Sequence, residues 1–318
     1  MSSNSSKALL IGINYSSIPT NTLSGCIDDV NNVKTMLVNV YKYSPSNITM
    51  ITDDANSICM PTYDNILNSL KKIVSASTTC NEIWIHYSGH GSQILDLNAD
   101  ETDKLDEVIV PIDYKTKGFI TDDMIFNIIK NINCKAIIVF DSCNSESVCD
   151  LEWTFENDGG IITRKQNNNK TIPNPNIFMF SGCRDNQLSI EKYMVNTGNI
   201  EGVLTNAFLA CLNMNNYTCS INKLYKDICI YCQINKNIQQ PCFSSSYSSP
   251  LYNFINPYST NLSVIKIKHS TQLNDSIKSK IHTTSIPNSK KKNAIPPPKN
   301  LQMNYRPTNM RMGLNLTK

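Results

Sequence analysis

The sequence predicts an α/β fold, with a mostly parallel central β-sheet and helices on both faces. Apolar runs of strand length alternate along the chain with apolar positions at helical spacing. Two of these runs, Ile83-Trp84-Ile85-His86-Tyr87 and Ala136-Ile137-Ile138-Val139-Phe140, stop abruptly at small or polar residues. Core strands end in this way where an open sheet presents its reactive groups. The stretch up to about residue 265 also has the length of one α/β domain, enough for a sheet covered on both sides.

The elements follow in order. A strand is expected at 7–13 on the run Ala8-Leu9-Leu10-Ile11, a helix at 27–40, a strand at 47–51 and a helix at 63–75. Strands are then expected at 82–87, 108–111, 136–141 and 177–181, and helices at 123–132, 204–214 and 221–230. The segment 156–175 is rich in Asn, Gly and Lys with two prolines; it reads as a long exposed loop holding Arg164, Lys165 and Lys170. Beyond about Asn261 the periodicity fades into Ser, Asn, Lys and Pro, including Lys290-Lys291-Lys292 and Pro296-Pro297-Pro298. Such a segment buries too little apolar area to offset its ordering entropy. The expected organisation is therefore one domain over residues 1–265 and a disordered tail over 266–318.

Charge follows the same division. The tail holds 11 basic residues against one Asp, which leaves the rest of the chain at −7, so the overall +3 conceals a split. Nucleic-acid binding is an expectation for the tail alone, where unstructured positive charge gives salt-sensitive, weakly specific contacts. The 12 cysteines are scattered over a large chain without a signal peptide, which favours free thiols in a reducing compartment over a disulfide scaffold. No apolar run approaches the ~18 residues of a membrane span. A cytoplasmic, monomeric protein without membrane contact is expected.

The chemistry centres on His90 and Cys143. A thiol is a poor nucleophile until it loses its proton, and imidazole is the base whose ordinary pKa suits neutral pH. Gly89 and Gly91 flank His90, so the backbone can turn sharply there, and a glycine N–H beside the base can donate to a developing oxyanion. A catalytic Cys with its His about 50 residues upstream is the spacing of caspase-type sites. His86, four residues earlier in the same run, reads as a structural histidine.

At these residues the chain resembles the metacaspases, caspase-like cysteine peptidases of family C14. Ordered motifs from Ala8 to about Leu251 carry the resemblance: Ala8-Leu9-Leu10-Ile11-Gly12-Ile13-Asn14-Tyr15, Leu23-Ser24-Gly25-Cys26-Ile27-Asp28-Asp29, the His90 segment, Asp106-Glu107-Val108-Ile109-Val110-Pro111-Ile112-Asp113, Ile120-Thr121-Asp122-Asp123, Asp141-Ser142-Cys143 and Ser181-Gly182-Cys183-Arg184-Asp185. It implies a caspase-like sandwich and a thiol protease, a hydrolase that cleaves protein or peptide substrates after Arg or Lys with a Cys143–His90 dyad and a Gly89 oxyanion donor. It also implies an acidic substrate pocket at Cys26, Asp29, Ser88 and Asp141, with Asp185 as a further lining residue. Two carboxylates there would pair with a guanidinium or ammonium and repel an aspartate. A calcium site is implied at Asp106, Asp122, Asp123 and Asp150, where a hard cation would offset repulsion among the carboxylates. Autocatalytic cleavage is expected after Arg164 or Lys165.

Plainer readings stand beside these. Asp29 would suit the start of a helix and Asp141 the end of a strand, while Asp122 and Asp123 would favour a helix dipole without any metal. The Cys229/Cys232 pair has no second pair at zinc spacing and reads as helix core. The family motif continues Asp-Ser-Cys with His-Ser-Gly, whereas this chain has Asn144-Ser145-Glu146. A carboxylate at Glu146 would raise the thiol pKa and slow attack. That departure motivates the alternative expectation, a catalytically weakened regulatory or scaffold module. No long segment precedes the first strand and no large insertion divides the domain, so a compact form with a C-terminal extension is expected.

Overall fold

Continuous Ile, Val, Leu and Phe runs form strands buried on both faces, while Ser or Thr at a helix start supplies an acceptor for an unpaired N–H. Both rules are visible in the computed structural model of the chain. It describes residues 6–96, 104–143, 145, 147–158, 160–168, 170–182, 191–194, 199–235 and 240–258, with backbone alone at 158, 191–194 and 199–201. In chain order the elements are β1 (Ser6–Gly12), α1 (Cys26–Asn39), β2 (Ile48–Thr52), α2 (Tyr63–Ala76), β3 (Glu82–Ser88), β4 (Gly91–Leu95), β5 (Leu105–Ile109), α3 (Tyr114–Lys117), β6 (Ile120–Thr121), α4 (Asp122–Ile129) and β7 (Lys135–Asp141). There follow β8 (Trp153–Asp158), β9 (Ile161–Gln166), β10 (Ile177–Ser181), β11 (Glu191–Met194), β12 (Asn199–Gly202), α5 (Val203–Met214), β13 (Cys219–Ser220), α6 (Ile221–Ile234), β14 (Cys242–Ser245) and β15 (Asn253–Phe254). Thr62, Thr121 and Ser220 cap α2, α4 and α6 through their side-chain oxygens, each contributing about 1 kcal/mol.

The main sheet has eight strands in the order β2-β1-β3-β7-β10-β14-β8-β9. The first five are parallel and the last three antiparallel. Side chains alternate across it, and the two core clusters record the alternation. Leu10, Trp84, Val139 and Phe180 face α1, α5 and α6, whereas Leu9, Ile85, Ile138 and Met179 face α2 and α4. This is an α/β sandwich, mostly parallel, with helices on both faces.

Two expectations are corrected. The segment 156–175 is not one long loop: β8 and β9 pair as a hairpin and complete the sheet beyond β14. Trp153, Phe155, Ile161 and Ile162 supply strand residues, and Asn157 Oδ1 accepts the Gly160 N–H at 3.0 Å inside the turn. The composition misled because β9 is an edge strand whose side chains are mostly solvent-facing. The strand expected at 108–111 lies outside the main sheet, where β4, β5 and β6 form a small antiparallel sheet of their own.

Candidate active site

Parallel strands release their C-terminal ends on one side, and β3 and β7 are neighbours in register, Ser88 opposite Asp141. The residues that follow are therefore brought together: His90 after β3 and Cys143 after β7. Gly91 is required at this crossing, because a Cβ there would collide with the Cys143 carbonyl. Cys143 is half-buried.

His90 is held from several sides. Its backbone N–H donates to Tyr15 Oη at 3.1 Å, its carbonyl accepts from Tyr87 Oη at 2.7 Å, and the Tyr15 ring lies 4.6 Å from the imidazole. Tyr15 in turn donates to the Val110 carbonyl at 2.6 Å. His90 Nε2 lies 2.7 Å from the Asn21 carbonyl oxygen. A carbonyl only accepts, so Nε2 carries the proton and Nδ1 is the basic nitrogen. Tyr15 lay inside a motif without an assigned role; Asn21 was missed, because a backbone carbonyl leaves no trace in residue type. The Gly89 N–H points to the Asp141 carbonyl at a long 3.4 Å, continuing the β3–β7 ladder.

The pocket residues also converge. Positions 86 and 88 of β3 and 141 of β7 share the parity of Trp84 and Val139, which turns them toward α1 and α5. Asp29 sits one turn inside α1, 1 % exposed, and accepts from Ser88 Oγ at 2.7 Å and from the Gly202 N–H at 3.1 and 3.2 Å. The cap position of α1 is Gly25, so Asp29 does more than start a helix. Asp141 Oδ2 accepts from both the N–H and the hydroxyl of Thr205, each at 2.8 Å. A Cβ on Gly202 would lie 2.7 Å from Asp29 Oδ2 and closer still to Asp141 Oδ2, so the two carboxylates flank this one glycine. Cys26 is buried at the first position of α1. Gly202 and Thr205 were missed, since they lie 173 and 64 residues from the carboxylates they hold. Asp185 is outside the described residues, as are Asn144 and Glu146.

Sequence and fold each have counterparts among known proteins. Residues 6–152 fit the family model for the metacaspase, peptidase C14 domain. Residues 6–152 are a metacaspase domain. The chain is 33 % identical to Metacaspase-1 of Cryptococcus neoformans over 255 residues, covering 65 % of this chain and 55 % of that protein. It is 42 % identical to Metacaspase-1A of Neurospora crassa over 159 residues, covering 49 % and 35 %. The chain thus spans about half or less of the length of these relatives. Two crystal structures share the fold: a Geobacter sulfurreducens protein, with TM-score 0.54 and 18 % identity over 77 % of this chain and 94 % of that one, and Caspase-1 of Spodoptera frugiperda, with TM-score 0.53 and 11 % identity over 78 % and 90 %.

In this metacaspase domain the four aspartates of the expected calcium site also gather. Asp122 is buried, and burial with the nearby Asp150 and Asp106 carboxylates pushes its pKa up to about 7. Its Oδ1 accepts the Asp123 N–H at 2.7 Å and its Oδ2 the Glu107 N–H at 3.1 Å, so it both starts α4 and ties α4 to β5. Lys170 enters the cluster, 2.7 Å from Asp150 Oδ2 and 3.4 Å from Asp123 Oδ1, with its ammonium over the Phe126 ring at 5.6 Å. The expectation of an exposed Lys170 is therefore corrected: its side chain is 24 % exposed and it neutralises a nearly buried Asp150. Among the described residues no three His, Cys, Asp or Glu side chains stand in ligand geometry as they are. The donor chemistry nevertheless suits a hard cation, since all four groups offer carboxylate oxygens.

Arg164 and Lys165 lie on β9, paired with Phe155 and Thr154, and Arg164 Nη1 donates to the Ser248 carbonyl at 3.0 Å. Cys229 and Cys232 are buried in α6 within the core. All cysteines among the described residues are free thiols, and no helix among the described residues is long and apolar enough to cross a membrane.

Proposed function

We propose that the protein is a cysteine endopeptidase cleaving after Arg or Lys. The carrying observation is the convergence of Asp29 and Asp141 on Gly202, beside a half-buried thiol and an imidazole whose Nε2 is pinned by a carbonyl. In this reading the two carboxylates hold the substrate guanidinium or ammonium. His90 Nδ1 takes the Cys143 proton, and the thiolate sulfur bonds to the carbonyl carbon of that Arg or Lys. The Cys143 N–H and the Gly89 N–H, whose 3.4 Å bond is easily exchanged, stabilise the oxyanion. His90 returns the proton to the leaving amine as the C–N bond breaks. Water then hydrolyses the thioester, with His90 accepting its proton.

Calcium would be held by Asp106, Asp122, Asp123 and Asp150, supplying positive charge that fixes the loop running from Cys143 to Asp150; Lys170 would have to withdraw to admit it. Self-cleavage after Arg164 or Lys165 would require β9 to detach from β8. Free thiols support a reducing compartment such as the cytosol, and action as a monomer belongs to the same reading.

The test is hydrolysis of fluorogenic peptides ending in Arg, Lys or Asp, with calcium and with chelator, by wild type and Cys143→Ala. Expected is cleavage after Arg and Lys that disappears in the variant. Cleavage after Asp would overturn the pocket, and no turnover by folded protein would favour a regulatory module.

A further inference from the structure

We propose that Thr205, with His86 behind it, is a positioning residue for substrate selection: it fixes the Asp141 carboxylate, while Gly202, lacking a side chain, lets Asp141 and Asp29 both approach its backbone. The inference rests on reading those two carboxylates as the substrate pocket.

Proton counting leads to it. Asp141 Oδ2 receives two hydrogen bonds from Thr205, one from its backbone and one from its hydroxyl, both 2.8 Å long. A hydroxyl has one proton, so Thr205 Oγ1 can only accept from its other neighbour, His86 Nε2, at 3.2 Å. His86 is therefore protonated on Nε2. Its Nδ1 is buried and has no hydrogen-bond partner among the described residues. Burial lowers its pKa from 6.5 to about 3, so the ring stays neutral at working pH and donates steadily. A buried imidazole with one nitrogen unsatisfied is a costly way to fill a core position. The compensation visible here is a hydroxyl whose proton is directed at Asp141.

The partner carboxylate is fixed by the same turn. Gly202 and Thr205 are the cap and third residue of α5, and Gly202 N–H reaches both Asp29 oxygens. The positive end of the helix dipole favours the ionised form of both acids. Both carboxylates are then held in fixed directions, which suits bidentate recognition of a planar guanidinium more than that of a compact ammonium. A side chain at position 202 would collide with both carboxylates and push them from these positions.

The experiment measures kcat and KM on Arg-ended and Lys-ended peptides for wild type, Thr205→Val, Thr205→Ser, His86→Gln and Asp141→Ala, with the alkylation rate of Cys143 by iodoacetamide. Loss of one hydrogen bond to a charged group predicts about a tenfold rise in KM for Thr205→Val. Its kcat and alkylation rate should stay within about twofold of wild type, and the Arg-over-Lys preference should shrink. Thr205→Ser should restore KM, and His86→Gln, which keeps a donor near the Nε2 position, should lie between. Affinity of the same peptides for Cys143→Ala, with and without Thr205→Val, gives the binding change without turnover, and Thr205→Ser serves if Thr205→Val fails to fold. Thr205→Val with wild-type KM and affinity, or with kcat and alkylation reduced instead, would overturn the proposal. Wild type without preference for Arg over Lys would overturn the fixed bidentate geometry proposed here, whereas Asp141→Ala with unchanged KM would defeat the pocket reading itself.

Discussion

His86 shows how little a residue type reveals about its task. In the sequence it is one more side chain in a strand; in the fold it is fully buried and its pKa falls from 6.5 to about 3. The unfolded chain takes up a proton at this ring below pH 6.5 that the folded protein refuses until about pH 3. Stability from this group is thus complete above pH 6.5 and lost as pH falls toward 3, at most ~1.4 kcal/mol per pH unit. His86→Phe should remove that slope, and the difference between the two urea-unfolding curves across pH 7 to 4 isolates it from the opposing titration of Asp122. Parallel curves would mean that His86 is not sealed from water. The parity placing His86, Ser88 and Asp141 toward α1 and α5 is legible in the sequence, because a strand period of two dictates it. The hydrogen bonds from Thr205 and Gly202 are not, because they join residues 64 and 173 positions apart that only the folded topology brings together.

At the scale of elements, strands with continuous apolar runs declared themselves, while β9 did not. Its Thr163-Arg164-Lys165-Gln166 run has the composition of a loop because it lies at the sheet edge and faces solvent. The same misreading hid Lys170, whose placement follows from anchoring the connection after β9: Asn168 Nδ2 donates to the Asp150 carbonyl at 3.2 Å and the Lys170 N–H to Asn168 Oδ1 at 2.9 Å. Lys170→Met should therefore have two opposite effects. Without calcium it leaves Asp150 buried and deprived of its counter-charge, lowering stability by about 3 kcal/mol in chemical denaturation. With calcium it removes the competing cation, and calorimetry should show an affinity about tenfold higher. Unchanged affinity would separate Lys170 from any metal site.

For the whole molecule, stability resides in two apolar layers on either side of one sheet, and the layer under α1, α5 and α6 holds an aromatic cluster. Phe208 of α5 packs against Trp84 at 5.8 Å, Phe180 at 5.1 Å and Phe254 at 6.1 Å. Phe208→Ala should cost about 3–5 kcal/mol and, by loosening the helix that begins at Gly202, raise KM for Arg-ended peptides at temperatures well below the unfolding midpoint. A loss of stability with KM unchanged would mean that α5 holds its first turn independently of its core face. The layered plan follows from the alternation of runs and helices in the sequence; the three antiparallel strands at the far side do not, since β14 reads Cys-Phe-Ser-Ser and carries no apolar run.

Those last strands also bear on how the molecule behaves in a crowd of its own copies. Without the β8–β9 hairpin, the sheet would end at β14, buried and short of partners, a template onto which another copy could donate a strand. With the hairpin in place the outermost rung among the described residues is β9, lined by Arg164 and Lys165, whose like charges resist the approach of a second such edge. The hairpin that composition disguised as a loop thus acts as a guard against self-association, and it leaves this side of the sheet with a strand that is hard to extend.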